Sequence, residues 1–350
     1  MAMNERIGYI GTYTKGDSIG IYRFILDVGK ELIRDVQPAA QLDNPTYLTL
    51  NKGNTKLFAV VKEGDSGGVA SFAITGDAGE LEPINTQVLP GASPCHISVD
   101  SSGLVVSANY HKGTVEAYFS DIHSGELSKP VSIIQHEGSG PNQERQEKPH
   151  AHFAGFTPDA KYVVAVDLGI DKIITYSREH GKLVEVNSLA VTAGSGPRHL
   201  VFHPTGKYAY VMTELSNEVI VLQYNSENGS FSEFQKELAI PADFTENSQG
   251  SAIHISSDGR FLYAGNRGHD SIAVFRVDQE TGKLGFIEHT HTEGHWPRDF
   301  VLDPSEKFLI ASNQESNNLI LYSRDETTGK LKLLQTGVTV PAPVCIKFIG

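Results

Sequence analysis

A period of about fifty residues runs through the whole chain, and few folds can be built on it. Seven segments read glycine, one or two small or charged residues, then an apolar residue. They are GKEL at Gly29, GEL at Gly79 and Gly125, GKL at Gly181, GSF at Gly229, and GKL at Gly282 and Gly329. The rest of the unit recurs as well. HLVFHPTGKYAYVMTELSNEVIVLQYNSENGSF, IHISSDGRFLYAGNRGHDSIAVFRVDQETGKL and DFVLDPSEKFLIASNQESNNLILYSRDETTGKL share one layout. Each has an apolar strand, a Pro/Asp/Gly turn, a second apolar strand, a polar loop, a third alternating strand and a turn before a last short strand. Val, Ile, Tyr and Phe are enriched at period two, and no stretch has sustained helical periodicity.

Four strands in a repeat of this length predict a β-propeller blade. The chain is therefore expected to be all-β, a seven-bladed propeller forming a single domain over 1–350. The ends predict how the ring closes. PVCIKFIG reads as a first strand with nothing after it, and IGYIGTYTKGDSIGIYRFILDVGKEL reads as strands two to four with no first strand. Pairing the N- and C-terminal strands completes one blade and removes two open sheet edges.

Charge and cysteine usage narrow the partners. The formal net charge is −13 and no Lys/Arg run is present, which argues against a nucleic-acid partner. No apolar run has membrane-span length, and the N-terminus lacks a signal-peptide core. The two cysteines, Cys95 and Cys345, have no paired spacing. These features predict a cytoplasmic protein without a membrane partner, a monomer or weak homo-oligomer.

In a blade, the start of the first strand and the end of the second meet at one face of the ring. Strand starts there include PCH at 94–96, PHAH at 149–152, PRH at 197–199, SAIH at 251–254 and PRD at 297–299. The recurrent His96, His152, His199 and His254 are expected to bond a neighbouring blade's backbone. Residues that break the repeat are not explained by it. His150 sits in an extra residue of KPHAH, Arg198 has a counterpart only at Arg298, and Glu214 and Arg267 are charged where sister blades mostly are not. The insert HEGSGPNQERQEKP, 136–149, abuts His150 and reads either as a solvated loop or as a lip over that face.

KPHAH, SGPRHLVFHP, YVMTELSNEV, FLYAGNRGHDSIAVF and WPRDFVLDP together resemble the seven-bladed propeller lactonase family. That is the bacterial 6-phosphogluconolactonase type, related to fungal carboxymuconate cyclase. The resemblance spans essentially the whole chain and implies a lactone hydrolase of carbohydrate metabolism. It would open 6-phosphoglucono-δ-lactone to 6-phosphogluconate in the pentose phosphate pathway. Carried over by motif, it gives His150, Arg198, Glu214 and Arg267 as catalytic, the four that the broken repeat selects. Glu214 or His150 would be the general base, with the other relaying or donating the proton. One arginine would meet the oxyanion and another would hold an anionic group of the substrate, an anionic sugar lactone. Arg298, His199, His152 and Asn266 are the expected substrate-binding residues. No cofactor is expected, and no metal. Glu63, Asn109, Asp167, Asn266 and Asn313 could approach the axis, but calcium needs six to eight oxygen ligands and arginines at the mouth repel it. A lactone-forming enzyme of the muconate cyclase type, or a non-catalytic propeller binding a partner on this face, are the alternatives.

Overall fold

The computed structural model describes residues 4–350, and these form seven four-stranded antiparallel sheets without a helix. Blade 1 is built from both ends of the chain. Its innermost strand is Pro343–Phe348, which pairs with Glu5–Thr12, followed by Gly20–Asp27 and Leu32–Gln41. Blades 2 to 7 begin with inner strands Leu48–Leu50, His96–Val99, Ala151–Phe156, Pro197–Phe202, Gln249–Ile255 and Pro297–Leu302. Each inner strand touches the next, and the last touches Pro343–Phe348, which closes the ring.

The core is divided into seven clusters, one between each pair of adjacent blades. A blade is therefore covered on both faces. Second strands such as YVVAVD, Tyr162–Asp167, are apolar nearly end to end as expected, whereas third strands such as Lys172–Glu179, expected to alternate, are buried on both faces along their centre. Polar alternation survives in the outermost strands, as in KLVEVNSLA, Lys182–Ala190.

The repeated glycine has a defined task. Gly79, Gly125, Gly181, Gly229, Gly282 and Gly329 adopt φ between 68° and 83° in the turn before the outermost strand. Three of them also receive a hydroxyl from a buried tyrosine of the preceding blade. Tyr9, Tyr210 and Tyr263 donate to the carbonyls of Gly79, Gly282 and Gly329 at 2.8, 2.9 and 2.8 Å. A Cβ at Gly329 would lie 2.3 Å from the Phe261 ring. In blade 1 the segment is one residue longer, and Glu31 takes the left-handed conformation (φ 55°) in place of Gly29.

A second repeat, less visible in sequence, holds the opposite face. The hairpin between second and third strands carries a left-handed Asp or Asn in blades 4 to 7: Asp171, Asn217, Asp270 and Asn317. Each side chain grips the segment leading into the next blade's inner strand. Asp171 accepts from Gly194 N and Gly196 N, Asp270 from Trp296 N, Asn317 from Ala342 N, and Asn217 donates to Ser248 O. These staples fix where each Pro-Arg segment enters its strand.

Candidate active site

The register of the inner strands explains why arginine recurs after proline. Pro197 pairs with Thr213 and His199 with Met212, so Arg198 is skipped; Pro297 pairs with Asn313 and Asp299 with Ser312, so Arg298 is skipped. His152 is skipped in the same way between Ala151 and Phe153. A bulge frees one residue from the ladder and re-aims its side chain. The same device therefore brings His152, Arg198 and Arg298 toward the axis.

His152 and Arg298 border a cup of about 540 Å³ at the mouth of the channel, a size suited to a small metabolite. Four cationic side chains line it, Lys15, Arg145, Arg267 and Arg298, against one carboxylate, Glu214. A much smaller space of about 20 Å³ beneath it holds Arg198 and His199 in its wall. In a chain of net charge −13 this is a local reversal of sign.

Glu214 is the hub. One carboxylate oxygen accepts from Arg198 Nε at 3.0 Å and from Arg267 Nη2 at 2.6 Å, and the other accepts from Arg145. Burial would raise its pKa, but Arg267, Arg198 and Arg145 outweigh burial and hold the carboxyl well below its usual range. Arg267 is pushed down to about 9, chiefly by burial, with Glu214 opposing. Arg267 also donates to Gly250 O at 2.7 Å and lies over the Trp296 ring. Arg198 Nη1 and Arg267 Nε remain buried without an acceptor among the described residues. Such unmet donors cost about 1–3 kcal/mol each.

The eight expected residues do not all converge. Glu214, Arg267, Arg298 and His152 line the cup; Arg198 and His199 lie beneath it. His150 is buried outside the wall. Its ring stacks on Tyr110 at 4.1 Å, with Nδ1 toward Tyr110 O (2.8 Å) and Nε2 toward Glu147 (3.1 Å), so both ring nitrogens are already engaged. Tyr110 itself lines the cup. Glu214 makes no contact that would orient His150. Asn266 is also off the wall. Its amide donates to Ala239 O at 2.7 Å, as Asn109 does to Ala92 O and Asn313 to Thr292 O. The three asparagines are one recurrent brace to the preceding blade, and their alignment in NYH, NRG and NQE carried that signal.

Of the recurrent histidines, His96 bonds a neighbouring blade's backbone as expected and the other three do not. His96 accepts a long 3.4 Å bond from Ala154 N of the next blade. His152 and His199 instead pack ring on ring, 5.2 Å apart, and His199 packs on His96 at 5.4 Å. His254 faces Asp299 rather than backbone. Cys95 lines the cup, but burial pushes its thiol up to about 11, so it is no nucleophile at neutral pH. Among the described residues no group of three or more His, Cys, Asp or Glu side chains is disposed to hold a metal ion.

Arg145 and Trp296 were not anticipated. Arg145 comes from the insert, which thereby forms a lip on the cup. Trp296 is the chain's one tryptophan, and it precedes Pro297 with φ 64°, where Gly196 (φ 60°) precedes Pro197. A bulky residue in that conformation is strained by about 1–3 kcal/mol, a cost that persists where the side chain has a use.

Comparison with known proteins agrees with this architecture. Residues 7–348 match the family model described as Lactonase, 7-bladed beta-propeller. The 6-phosphogluconolactonase of Bacillus subtilis is 56% identical over 348 residues, covering 99% of both chains. A Lactobacillus plantarum crystal structure superposes with a TM-score of 0.95 at 42% identity, covering 99% of this chain and 100% of that one. The periplasmic gluconolactonase of Pseudomonas aeruginosa superposes with a TM-score of 0.92 at 30% identity, covering 99% of each.

Proposed function

Because the chain belongs to the seven-bladed β-propeller lactonase family, we propose that it hydrolyses an anionic sugar δ-lactone, 6-phosphoglucono-δ-lactone foremost, in the pentose phosphate pathway. The observation that carries this reading is the cup itself: three arginines converge on one carboxylate at a metabolite-sized space whose charged lining is four cations against that single carboxylate.

Glu214 is the base in this reading, since it lines the cup and His150 does not. It takes a proton from water as the water oxygen bonds to the lactone carbonyl carbon. Arg267, with Arg198 behind it, meets the negative charge that develops on the carbonyl oxygen. The carbonyl re-forms as its bond to the ring oxygen breaks, and Glu214 returns the proton to that departing oxygen. The bound substrate anion offsets part of the arginine field and so makes Glu214 a stronger base than in the empty site. His150 is a positioning residue that seats Tyr110 against the cup. The two free cysteines fit a reducing compartment, the cytoplasm.

The test is loss of freshly made 6-phosphoglucono-δ-lactone above its spontaneous rate, with and without EDTA. Loss that survives EDTA and collapses in Glu214→Gln supports the proposal. A rate no greater than background defeats it. Likeness to a periplasmic gluconolactonase favours glucono-δ-lactone as the second substrate to assay.

A further inference from the structure

The cup has two cationic poles, and only one of them is neutralised. On blades 4 to 6, Arg145, Arg198 and Arg267 share Glu214. Across the cup, on blades 7 and 1, Arg298 and Lys15 have no carboxylate within ion-pair distance among the described residues. Both lie over the same aromatic ring instead: the Arg298 guanidinium is 5.5 Å and the Lys15 ammonium 5.2 Å from the centre of Tyr13. A ring under a cation holds it in place while leaving its N–H groups free for an incoming anion.

This pole is built into the frame. Arg298 is the bulge residue of its inner strand. Tyr13 donates its N–H to Ala342 O at 3.1 Å, and Thr14 N bonds Asn44 Oδ1 at 3.1 Å, so the hairpin carrying Lys15 is braced on both sides. The neighbouring acid, Asp43, receives hydrogen bonds from Thr14 and Asn44 and forms no ion pair with Lys15.

We propose that Lys15, Tyr13 and Arg298 form the subsite that recognises the substrate's phosphate and so sets its direction in the cup. The phosphate lies on blades 7 and 1, and the lactone carbonyl reaches across to Glu214 and Arg267. The inference rests on the lactonase reading above. A phosphate dianion is placed there rather than at the other pole because Glu214 repels it and already engages the arginines. Guanidinium and ammonium together suit a phosphate, one by paired donors and the other as a point charge.

The experiment compares Lys15→Ala, Arg298→Ala and the charge-keeping Lys15→Arg on 6-phosphoglucono-δ-lactone and on glucono-δ-lactone. Each alanine variant is expected to raise KM for the phosphorylated lactone about 10–100-fold, as loss of a charged hydrogen bond does. Its kcat should change by less than about threefold, kcat/KM for glucono-δ-lactone should fall far less, and Lys15→Arg should recover most of the loss. Equal losses on both substrates, or an unchanged KM in Lys15→Ala, overturn the subsite. Titration with inorganic phosphate separates its failure from failure of the lactonase reading. If wild type hydrolyses neither lactone, binding of phosphate weakened about tenfold or more in both alanine variants still supports the subsite. Binding indifferent to them removes it.

Discussion

At the residue scale, the carboxylate of Glu214 is set among arginines that need it as much as they serve it. Glu214→Gln should lower kcat by about 10³-fold, the scale of a lost general base. It also leaves three guanidinium groups without their shared counterion, so a loss of about 3–5 kcal/mol in unfolding free energy should accompany it in urea titration. His150→Ala should behave differently. Its ring touches Tyr110 and not the cup, so kcat/KM should fall only about tenfold, with the pH profile unmoved. A profile that loses its acidic limb in His150→Ala would return the base to His150. Arg145→Ala separates the lip from the hub: if the insert serves binding, KM rises more than kcat falls.

At the element scale, the fold depends on repeated local devices rather than on one core. The Tyr263 hydroxyl meets Gly329 O inside the blade interface. Tyr263→Phe should cost about 1–2 kcal/mol, because a buried carbonyl loses its donor. Gly329→Ala should cost more, since φ is 74° and the new Cβ would enter the Phe261 ring. Chemical denaturation of both variants checks the order. The glycine turn is legible in sequence because only one residue type tolerates that backbone without strain. The Asp/Asn staples at 171, 217, 270 and 317 are less legible, because blades 1 to 3 place a left-handed glycine in that hairpin, Gly16, Gly64 and Gly113, which has no side chain to staple with. Bulges are not legible at all. PRH and PRD read as ordinary strand starts, and only the register shows that Arg198 and Arg298 stand outside the ladder.

At the scale of the whole molecule, the channel axis is filled with histidines that the native state keeps neutral. His96 is pushed down to about 3 and His152 and His199 well below the usual range, in each case mainly by burial, with Lys347 adding at His96 and Arg198 at the other two. The unfolded chain takes up a proton at each near pH 6.5 and the native one does not. Stability is therefore full above that pH and falls below it, by about 1.4 kcal/mol per pH unit for each histidine. The Glu214 contribution is lost only at lower pH, below the normal carboxylate range, because its folded pKa is depressed. Between pH 7 and 5 the histidines should set the slope, and His96→Phe should flatten a plot of Tm against pH over that interval. Removing residues 343–350 tests closure: with the edge of Glu5–Thr12 bare, the chain should lose cooperative unfolding or aggregate.

The fold was readable because a propeller is written in local chemistry. Glycine turns, apolar strands and a fifty-residue spacing each act over a few neighbours, and repetition makes them visible in a single chain. The split blade followed from the same rule applied to the two ends. Glu214, Arg267 and Arg198 stood out because charge at a buried, repeated position has no scaffold explanation. The roles were decided elsewhere. Whether His150 faces the cup or backs Tyr110, whether Asn266 binds a ligand or braces a blade, and which cations share Glu214 depend on contacts between residues far apart in the chain. No local preference encodes those contacts, and they exist only once the seven blades have closed around the axis.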